Sequence, residues 1–386
     1  MNRASSPSRV VLAIFSGLLL ALSLKAAPAF HSGKLEQMDE AIHSAIAQHQ
    51  LPGGVLWIEH RGTIHEKVYG NRSLEPVEAM SRDTIFDAAS LTKVVATTPA
   101  IMLLCERGLL QLDAPASQYL PEFKSEKQAP ITIRHLMTHT SGLRPGIGIP
   151  RGTDDYHKGI ALALVEEPNP APGTLFRYSD INFILLGEVV RRVSGQTLDQ
   201  FTAQEIYRPL GMTRTMYLPE AGLHPLIAPT TREADGTLVR GVVHDPTARR
   251  MGGVAGHAGL FTTANDLALY SRMLLNRGSL NGKQLFKPET VALMTAVATP
   301  PGLPRRGLGW DIDTPYSGPR GKHLPVGSYG HTGWTGTSLW IDPFSESFVI
   351  FLCNRNHPTE AGNVITPPRN PNAPANSSLS PAISRR

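Results

Sequence analysis

Apolar positions recur along this 386-residue chain in two rhythms, one near 3.6 and one of two. From Lys34 to Gln50, Met38, Ile42, Ala45 and Ile46 keep helical spacing and predict an amphipathic helix. The next stretch, GGVLWIEHRGTIHEKVYG, alternates apolar and polar residues about His60-Arg61-Gly62, as a β-hairpin does. A helix is then predicted to open near Ser90, with Val94, Val95, Thr98, Ile101, Met102 and Cys105 on one face and Gly108 at its end. Up to Asn169 the pattern is of helices broken by turns, including ITIRHLMTHTSGL, which stops at Ser141-Gly142. Pro172-Gly173 turns the chain into Tyr178, and a helix from Asn182 to Val193 follows, its apolar face formed by Ile184, Leu185, Val189 and Val190. After a helix over Leu198 to Tyr207 the chain reads as irregular and glycine-dense as far as Gly259, a composition that permits close backbone approach around a cleft. Thr263 is placed to cap a helix, with Asp266 in the capping-box position. GLGWDID, YGHTGWTGTSLWID and SFVIFLCNRN then read as antiparallel strands.

Composition changes this picture little. Hydrophobic residues at 41% and charged residues at 18% are those of an ordinary globular protein long enough to bury a sizeable core. The two ends differ. Residues 1–29 join basic Arg3 and Arg9 to an apolar run, Val10 to Leu24, and to small residues Ala26 to Ala29, which is the plan of a secretory signal cleaved near Ala29, an uncleaved anchor being the alternative. The expected location is periplasmic or secreted, with no stable membrane anchor after cleavage. Arg3, Arg9 and Lys25 supply three of the charges in the net +5, and no basic patch is left to argue for nucleic acid. Residues 363–386 are rich in proline, asparagine and serine and are predicted disordered. Cys105 and Cys353 read as small buried hydrophobes, and a disulfide would require their two elements to touch.

The candidate chemistry begins with Ser90 and Lys93. A serine hydroxyl needs a nearby base to attack a carbonyl, and residues at i and i+3 share a helical face, so the helix sets the Lys93 amine beside the Ser90 hydroxyl. The helix N-terminus also offers backbone N–H groups to the oxyanion that forms on attack. No other serine in the chain has lysine three residues on. Tyr178 precedes a helix in a loop, where functional groups often project. His135 and His139 have zinc-compatible i, i+4 spacing but no third ligand, so they are expected to cap or pack and no metal is predicted.

Three motifs thus stand in order, Ser90-Leu91-Thr92-Lys93, Tyr178-Ser179-Asp180 and His331-Thr332-Gly333, within the flanking strings FDAASLTKV, RHLMTHTSGL, PLGMTRT, GGVAGHAGLF and HTGWTGTSLWIDP. Over roughly residues 34 to 358 the chain resembles the serine β-lactamase and penicillin-binding protein superfamily, most of all its class C β-lactamase-related hydrolases and esterases. The resemblance implies that Ser90 is acylated and that Lys93 and Tyr178 share the proton transfers, the identity of the base staying open. It also implies that the Ser90 and Trp334 N–H groups form the oxyanion hole, and that Asp180, His331, Thr332 and Gly333 line the substrate site. No cofactor is implied. Asp180 stands where class C β-lactamases have an amide, and His331 where they have the lysine of K-T-G. An imidazole protonating near pH 6.5 is expected to hold a substrate carboxylate weakly at neutral pH and better in acid, which favours simple esters over penicillins. The family's closing C-terminal helix has no counterpart in the pattern of residues 359–386.

The resulting expectation is an α+β, β-lactamase-like catalytic domain over residues 30–362: an antiparallel sheet from the two ends of the chain, flanking helices, and a mostly helical insertion from about 100 to 250. Its reaction would be hydrolysis of an ester or amide, the substrate a small ester, a β-lactam or a cell-wall peptide. The alternatives are a true β-lactamase or D-alanyl-D-alanine carboxypeptidase, and an inert cell-wall-binding module.

Overall fold

The structure, a computed structural model, describes residues 29–150, 152 and 154–359. The expected signal segment through residue 28, the tail at 363–386 and the question of a closing helix all lie outside the described residues. The helices that matter for the site are α1 (Ser32–Ala47), α2 (Thr98–Glu106), α3 (Asp180–Ser194) and α4 (Ala264–Leu275). The main sheet has β1 (Gly53–His60), β2 (Thr63–Leu74), β3 (Val77–Ala79), β4 (Arg305–Arg306), β5 (Asp311–Asp313), β6 (Tyr329–Thr332), β7 (Thr337–Asp342) and β8 (Ser347–Cys353). Their order is β4-β5-β6-β7-β8-β1-β2-β3, antiparallel throughout. The two ends of the chain meet at the centre, where β1 pairs with β8 from Gly54↔Cys353 to His60↔Ser347. The expected hairpin is β1–β2, closed at His60↔Thr63.

Helix α4 packs on β1, β7 and β8, and α1 on β2. Asp39 of α1 takes the Tyr69 hydroxyl and the Lys67 ammonium of β2, each at 2.5 Å. The Thr263 hydroxyl caps α4 by accepting from the Asp266 N–H at 3.2 Å. The capping box expected there is only half formed, because the Asp266 carboxylate accepts instead from Arg214 N–H at 2.7 Å and the Thr215 hydroxyl at 2.9 Å.

The helix opening at Ser90 is less regular than its spacing suggests. It passes through a π-helical turn, Lys93–Thr97, before α2. Pro99 has no N–H to offer the preceding turn, and two tyrosines take up carbonyls there: Tyr270 donates to Val94 at 2.8 Å and Tyr207 to Val95 at 3.5 Å. Such turns recur at functional sites. Helix α3, buried from Ile181 to Val190, lies against this segment. The glycine-rich loop is used for packing here: a Cβ on Gly256 would lie 2.0 Å from the Phe183 carbonyl oxygen, and the Gly256 carbonyl accepts from the Thr97 hydroxyl at 2.7 Å. Cys105 and Cys353 are free thiols, pushed up by burial to about 12 and about 11.

Candidate active site

The turn that presents Ser90 is held from below by Asp87. Its buried carboxylate accepts from the Ala89 N–H at 2.8 Å and the His244 N–H at 2.6 Å. The backbone at Ala89 is left-handed, with φ of 46°, an uncommon conformation for a residue with a Cβ. Phe86 and Asp87 pair with Thr262 and Phe261, and the Ala88 N–H reaches the Leu260 carbonyl at 2.8 Å. Ser90 therefore leaves a braced turn at the mouth of a helix, as its sequence context predicts.

Lys93 is buried without exposed surface, and three acceptors surround its Nζ: Ser90 Oγ at 3.0 Å, the His257 carbonyl at 3.0 Å and Asp180 Oδ1 at 2.7 Å. Burial alone would push the amine pKa down, but Asp180 and then Tyr178 outweigh it and the net direction is up. Asp180, expected to line the substrate site, faces Lys93 and keeps a third of its side chain exposed.

Tyr178 stands at the centre of a ring of polar groups. Its ring lies 5.0 Å from Lys93 Nζ, with the His139, Tyr316 and His331 rings centred at 4.5, 5.4 and 5.9 Å. Arg306 adds a cation whose Cζ is 5.9 Å from the same ring. His139 Nδ1 accepts from the Ser179 N–H at 3.1 Å, while His135 caps its own helix with Thr132. Packing and capping are thus the roles of the two histidines, and among the described residues no cluster of three or more metal-ligating side chains exists.

His331 corrects an expectation. Its Nδ1 donates to the Thr332 carbonyl at 2.8 Å, and the ring is only 5% exposed. Burial, reinforced by Arg306 and Lys93, holds its pKa well below the ordinary imidazole value. It therefore does not protonate near pH 6.5, and the acid-enhanced binding of anionic substrates expected of it has no basis.

The strand carrying His331 is joined to the Ser90 turn by hydroxyls. Thr335 donates to the Asp87 carbonyl at 2.8 Å and Thr337 to the Ala88 carbonyl at 2.9 Å. Gly333 is required between them, since a Cβ there would meet Thr337 Oγ1 at 2.1 Å and the Ala88 carbonyl at 2.6 Å. Trp334 is thereby set beside the turn. A cavity of about 500 Å3 opens next to it, lined also by Thr231, Glu233, His244, Arg249 and Arg250. Behind it His257 Nε2 meets Asp245 at 3.0 Å; burial raises that carboxyl, but His257 outweighs it and the net direction is down.

The Beta-lactamase family model matches residues 38–367. The chain belongs to the Beta-lactamase family. A Bacillus subtilis (strain 168) protein named N-acetylmuramyl-L-alanine amidase is 34% identical over 382 residues, covering 89% of this chain and 85% of its own. An Escherichia coli (strain K12) protein provisionally named a D-alanyl-D-alanine carboxypeptidase is 31% identical over 385 residues, covering 89% and 86%. The class C β-lactamase of Rhodobacter sphaeroides shares the fold with a TM-score of 0.67 at 24% identity, covering 84% of this chain and 95% of its own. The hydrolase EstCE1 shares it with a TM-score of 0.69 at 23% identity, covering 84% and 94%. The chain is thus a serine hydrolase of this family with the expected α+β fold. Among the described residues no helix is long and apolar enough to cross a membrane.

Arg306 is the site residue that sequence reasoning missed. Nothing in Arg305-Arg306-Gly307 marks a cation for burial. Only the fold brings it to Tyr178.

Proposed function

We propose that this β-lactamase-family protein is an exported hydrolase that opens an ester or amide bond through a Ser90 acyl-enzyme. The observation that carries this reading is the buried Lys93 ammonium, shared between Ser90 Oγ at 3.0 Å and Asp180 at 2.7 Å. Held beside Ser90 as a cation, Lys93 orients the hydroxyl and stabilises the developing alkoxide, and Tyr178 is the group that accepts the Ser90 proton. Ser90 Oγ bonds to the substrate carbonyl carbon, the Ser90 and Trp334 N–H groups receive the oxyanion, and Tyr178 returns the proton to the departing oxygen or nitrogen. Water then repeats the sequence on the acyl-enzyme and frees Ser90.

The substrate class we favour is a cell-wall peptide or its amide, ahead of a β-lactam. Two relatives covering most of this chain carry cell-wall names, and the cavity beside Trp334 gives room for a large polar group. Buried, neutral His331 offers a substrate carboxylate no charge, which argues against a penicillin and against a peptide ending in a free carboxylate, and favours an amide or ester bond away from such an end.

The test combines labelling with turnover. A fluorophosphonate should add one phosphonyl group at Ser90, read by peptide mass spectrometry, and Ser90→Ala should lose the label. Its turnover of p-nitrophenyl acetate and of muropeptides should fall by about 10^4-fold or more, with circular dichroism unchanged. An unlabelled Ser90, or an S90A protein that keeps turning over, removes the reading. Nitrocefin hydrolysis exceeding that of muropeptides would leave the mechanism and overturn the substrate class.

A further inference from the structure

The cavity beside Trp334 is lined by two arginines, Arg249 and Arg250, and by two carboxylates, Glu233 and Asp154. Two of the four engage each other. Arg249 Nη1 donates to Glu233 at 2.9 Å, while its Nε and Nη2 hold the Val243 and His244 carbonyls at 2.8 and 3.3 Å. The other two are not paired. Arg250 Nη1 donates to the Ile149 carbonyl, and among the described residues neither Arg250 nor Asp154 has an ion-pair partner. The lining thus offers hydrogen-bond donors and acceptors while its arginines and carboxylates sum to no charge, which suits a neutral ligand rich in hydroxyls better than an anion or a cation. Its volume, about 500 Å3, is that of a small-molecule site.

An aromatic wall completes the pattern. Trp334 is half-buried, and its ring meets that of His244 edge to face, with centroids 5.4 Å apart and planes at 82°. His244 is itself held, its N–H donating to Asp87 at 2.6 Å and its Nε2 accepting from the Asn356 amide at 3.0 Å. Arg355 Nε donates to the Trp334 carbonyl at 3.0 Å. The indole is therefore positioned before a ligand arrives, and little side-chain freedom is lost on binding. A sugar ring has an apolar C–H face and a rim of hydroxyls; an indole takes the face, and ionised side chains at the rim bond the hydroxyls strongly. We propose that this cavity is a subsite for a neutral sugar ring, stacked on Trp334 and bonded through its hydroxyls by Arg250 and Asp154. The proposal rests on the reading of a cell-wall substrate cut at Ser90 and names the part of it that the cavity holds. Because the Trp334 N–H is the proposed oxyanion donor, a sugar on the Trp334 indole puts the cleaved bond near the glycan end of a glycopeptide.

The experiment measures binding without turnover, by NMR titration of the protein at mildly acidic pH with three sugars of one ring type: neutral N-acetylglucosamine, cationic glucosamine and anionic glucuronate. N-acetylglucosamine should bind at least as tightly as either charged sugar. Trp334→Ala should weaken it by about 10-fold, with Trp334→Phe restoring part of the loss. Arg250→Gln and Asp154→Asn should each weaken it by about 10-fold, the scale of one hydrogen bond. The two charge variants also carry a signature that a structural role would not: R250Q should come to favour glucosamine over glucuronate, and D154N the reverse. Should R250Q fail to fold, Asp154→Asn, at an exposed residue, decides by itself. No binding of N-acetylglucosamine refutes the proposal, and so does binding that the variants leave intact. Native preference for either charged sugar by about 10-fold or more also refutes it, in favour of a site that reads a peptide carboxylate or amine. Because the titrations do not depend on acylation, loss of the Ser90 reading and loss of the sugar subsite are separate results.

Discussion

Two cations are buried beside Tyr178, and the protein keeps them in opposite ways. Lys93 is delivered by local spacing, three residues after Ser90, and is wrapped by three acceptors, one of them a carboxylate at 2.7 Å. Arg306 arrives from the edge of the sheet and has one close carbonyl and a carboxylate at 3.9 Å. The first arrangement spends its charge on short hydrogen bonds and can hold a hydroxyl in place. The second leaves a guanidinium loosely compensated inside the core. A buried charge therefore cannot be assigned a role from its identity alone; the distance and engagement of its counter-ion decide how firmly it is held and what it can hold in turn.

The largest test of that contrast is to make Lys93 as poorly compensated as Arg306. Asp180→Asn leaves a buried ammonium without its carboxylate, a change that costs about 3 to 5 kcal/mol when both partners are buried. Asp180 is 33% exposed, so solvent screens the pair and about 2 to 3 kcal/mol is expected. Lys93→Met in the same background should recover part of the loss, since it removes the stranded charge. Urea unfolding of the two single variants and the double variant measures this. Strictly additive losses would mean that the pair is not a unit and that the contrast with Arg306 is drawn in the wrong place.

How much of this was readable beforehand follows the same division between local and non-local placement. The Ser90–Lys93 relation depends on one helical turn, and the β1–β2 hairpin on alternation about Arg61-Gly62; both are local and both were legible. The C-terminal strands announced themselves by apolar runs, and pairing β8 with β1 needs only that the chain's ends meet. Arg306 was not legible, because its burial beside Tyr178 depends on how the sheet edge packs near the start of α3. The direction of Asp180 was equally hidden. As the first residue of α3 its direction is not set by spacing, and tertiary packing brings it to Lys93. Asp266 shows the limit of a local motif: its spacing fits a capping box, but Arg214 and Thr215 claim its carboxylate.

His331 sharpens the comparison from the other side. Placing lysine there would add a third cation near Arg306 and Lys93 where burial already holds imidazole neutral. His331→Lys should cost about 2 kcal/mol at pH 7. The cost should shrink toward pH 10, because a buried amine with a depressed pKa is penalised only while the unfolded amine still holds its proton. The native protein has the matching acid behaviour. His139 and His331 have folded pKa values well below the ordinary 6.5, chiefly through burial. Below that pH the unfolded chain binds protons that the folded one refuses, so stability falls as pH drops, by about 1.4 kcal/mol per unit for each histidine. Thermal melts from pH 8 to pH 5 read this. His331→Asn should flatten the slope, and a slope unchanged in that variant would remove His331 from the buried neutral set.

The smallest expected effect concerns the seam that holds the two sides of the site together. Thr335 and Thr337, each 1% exposed, donate from the strand side to the Asp87 and Ala88 carbonyls on the helix side. Valine keeps the shape of threonine and removes only the donor, so Thr335→Val should cost about 1 kcal/mol, the net value of one buried hydrogen bond. Thr337→Val should cost less, because the Ala88 carbonyl also accepts from the Leu91 N–H at 3.0 Å and is not left empty. Function should separate the two further. Thr335 adjoins Trp334, whose N–H is proposed for the oxyanion hole, so loosening it should lower kcat by roughly 10-fold, below the 10^2 to 10^3 of losing such a donor outright, with KM little changed. Paired kinetics and melts on the two variants measure this. Equal effects on kcat would mean that the seam only stabilises the fold, and that the position of Trp334 is set by something other than the hydroxyl beside it.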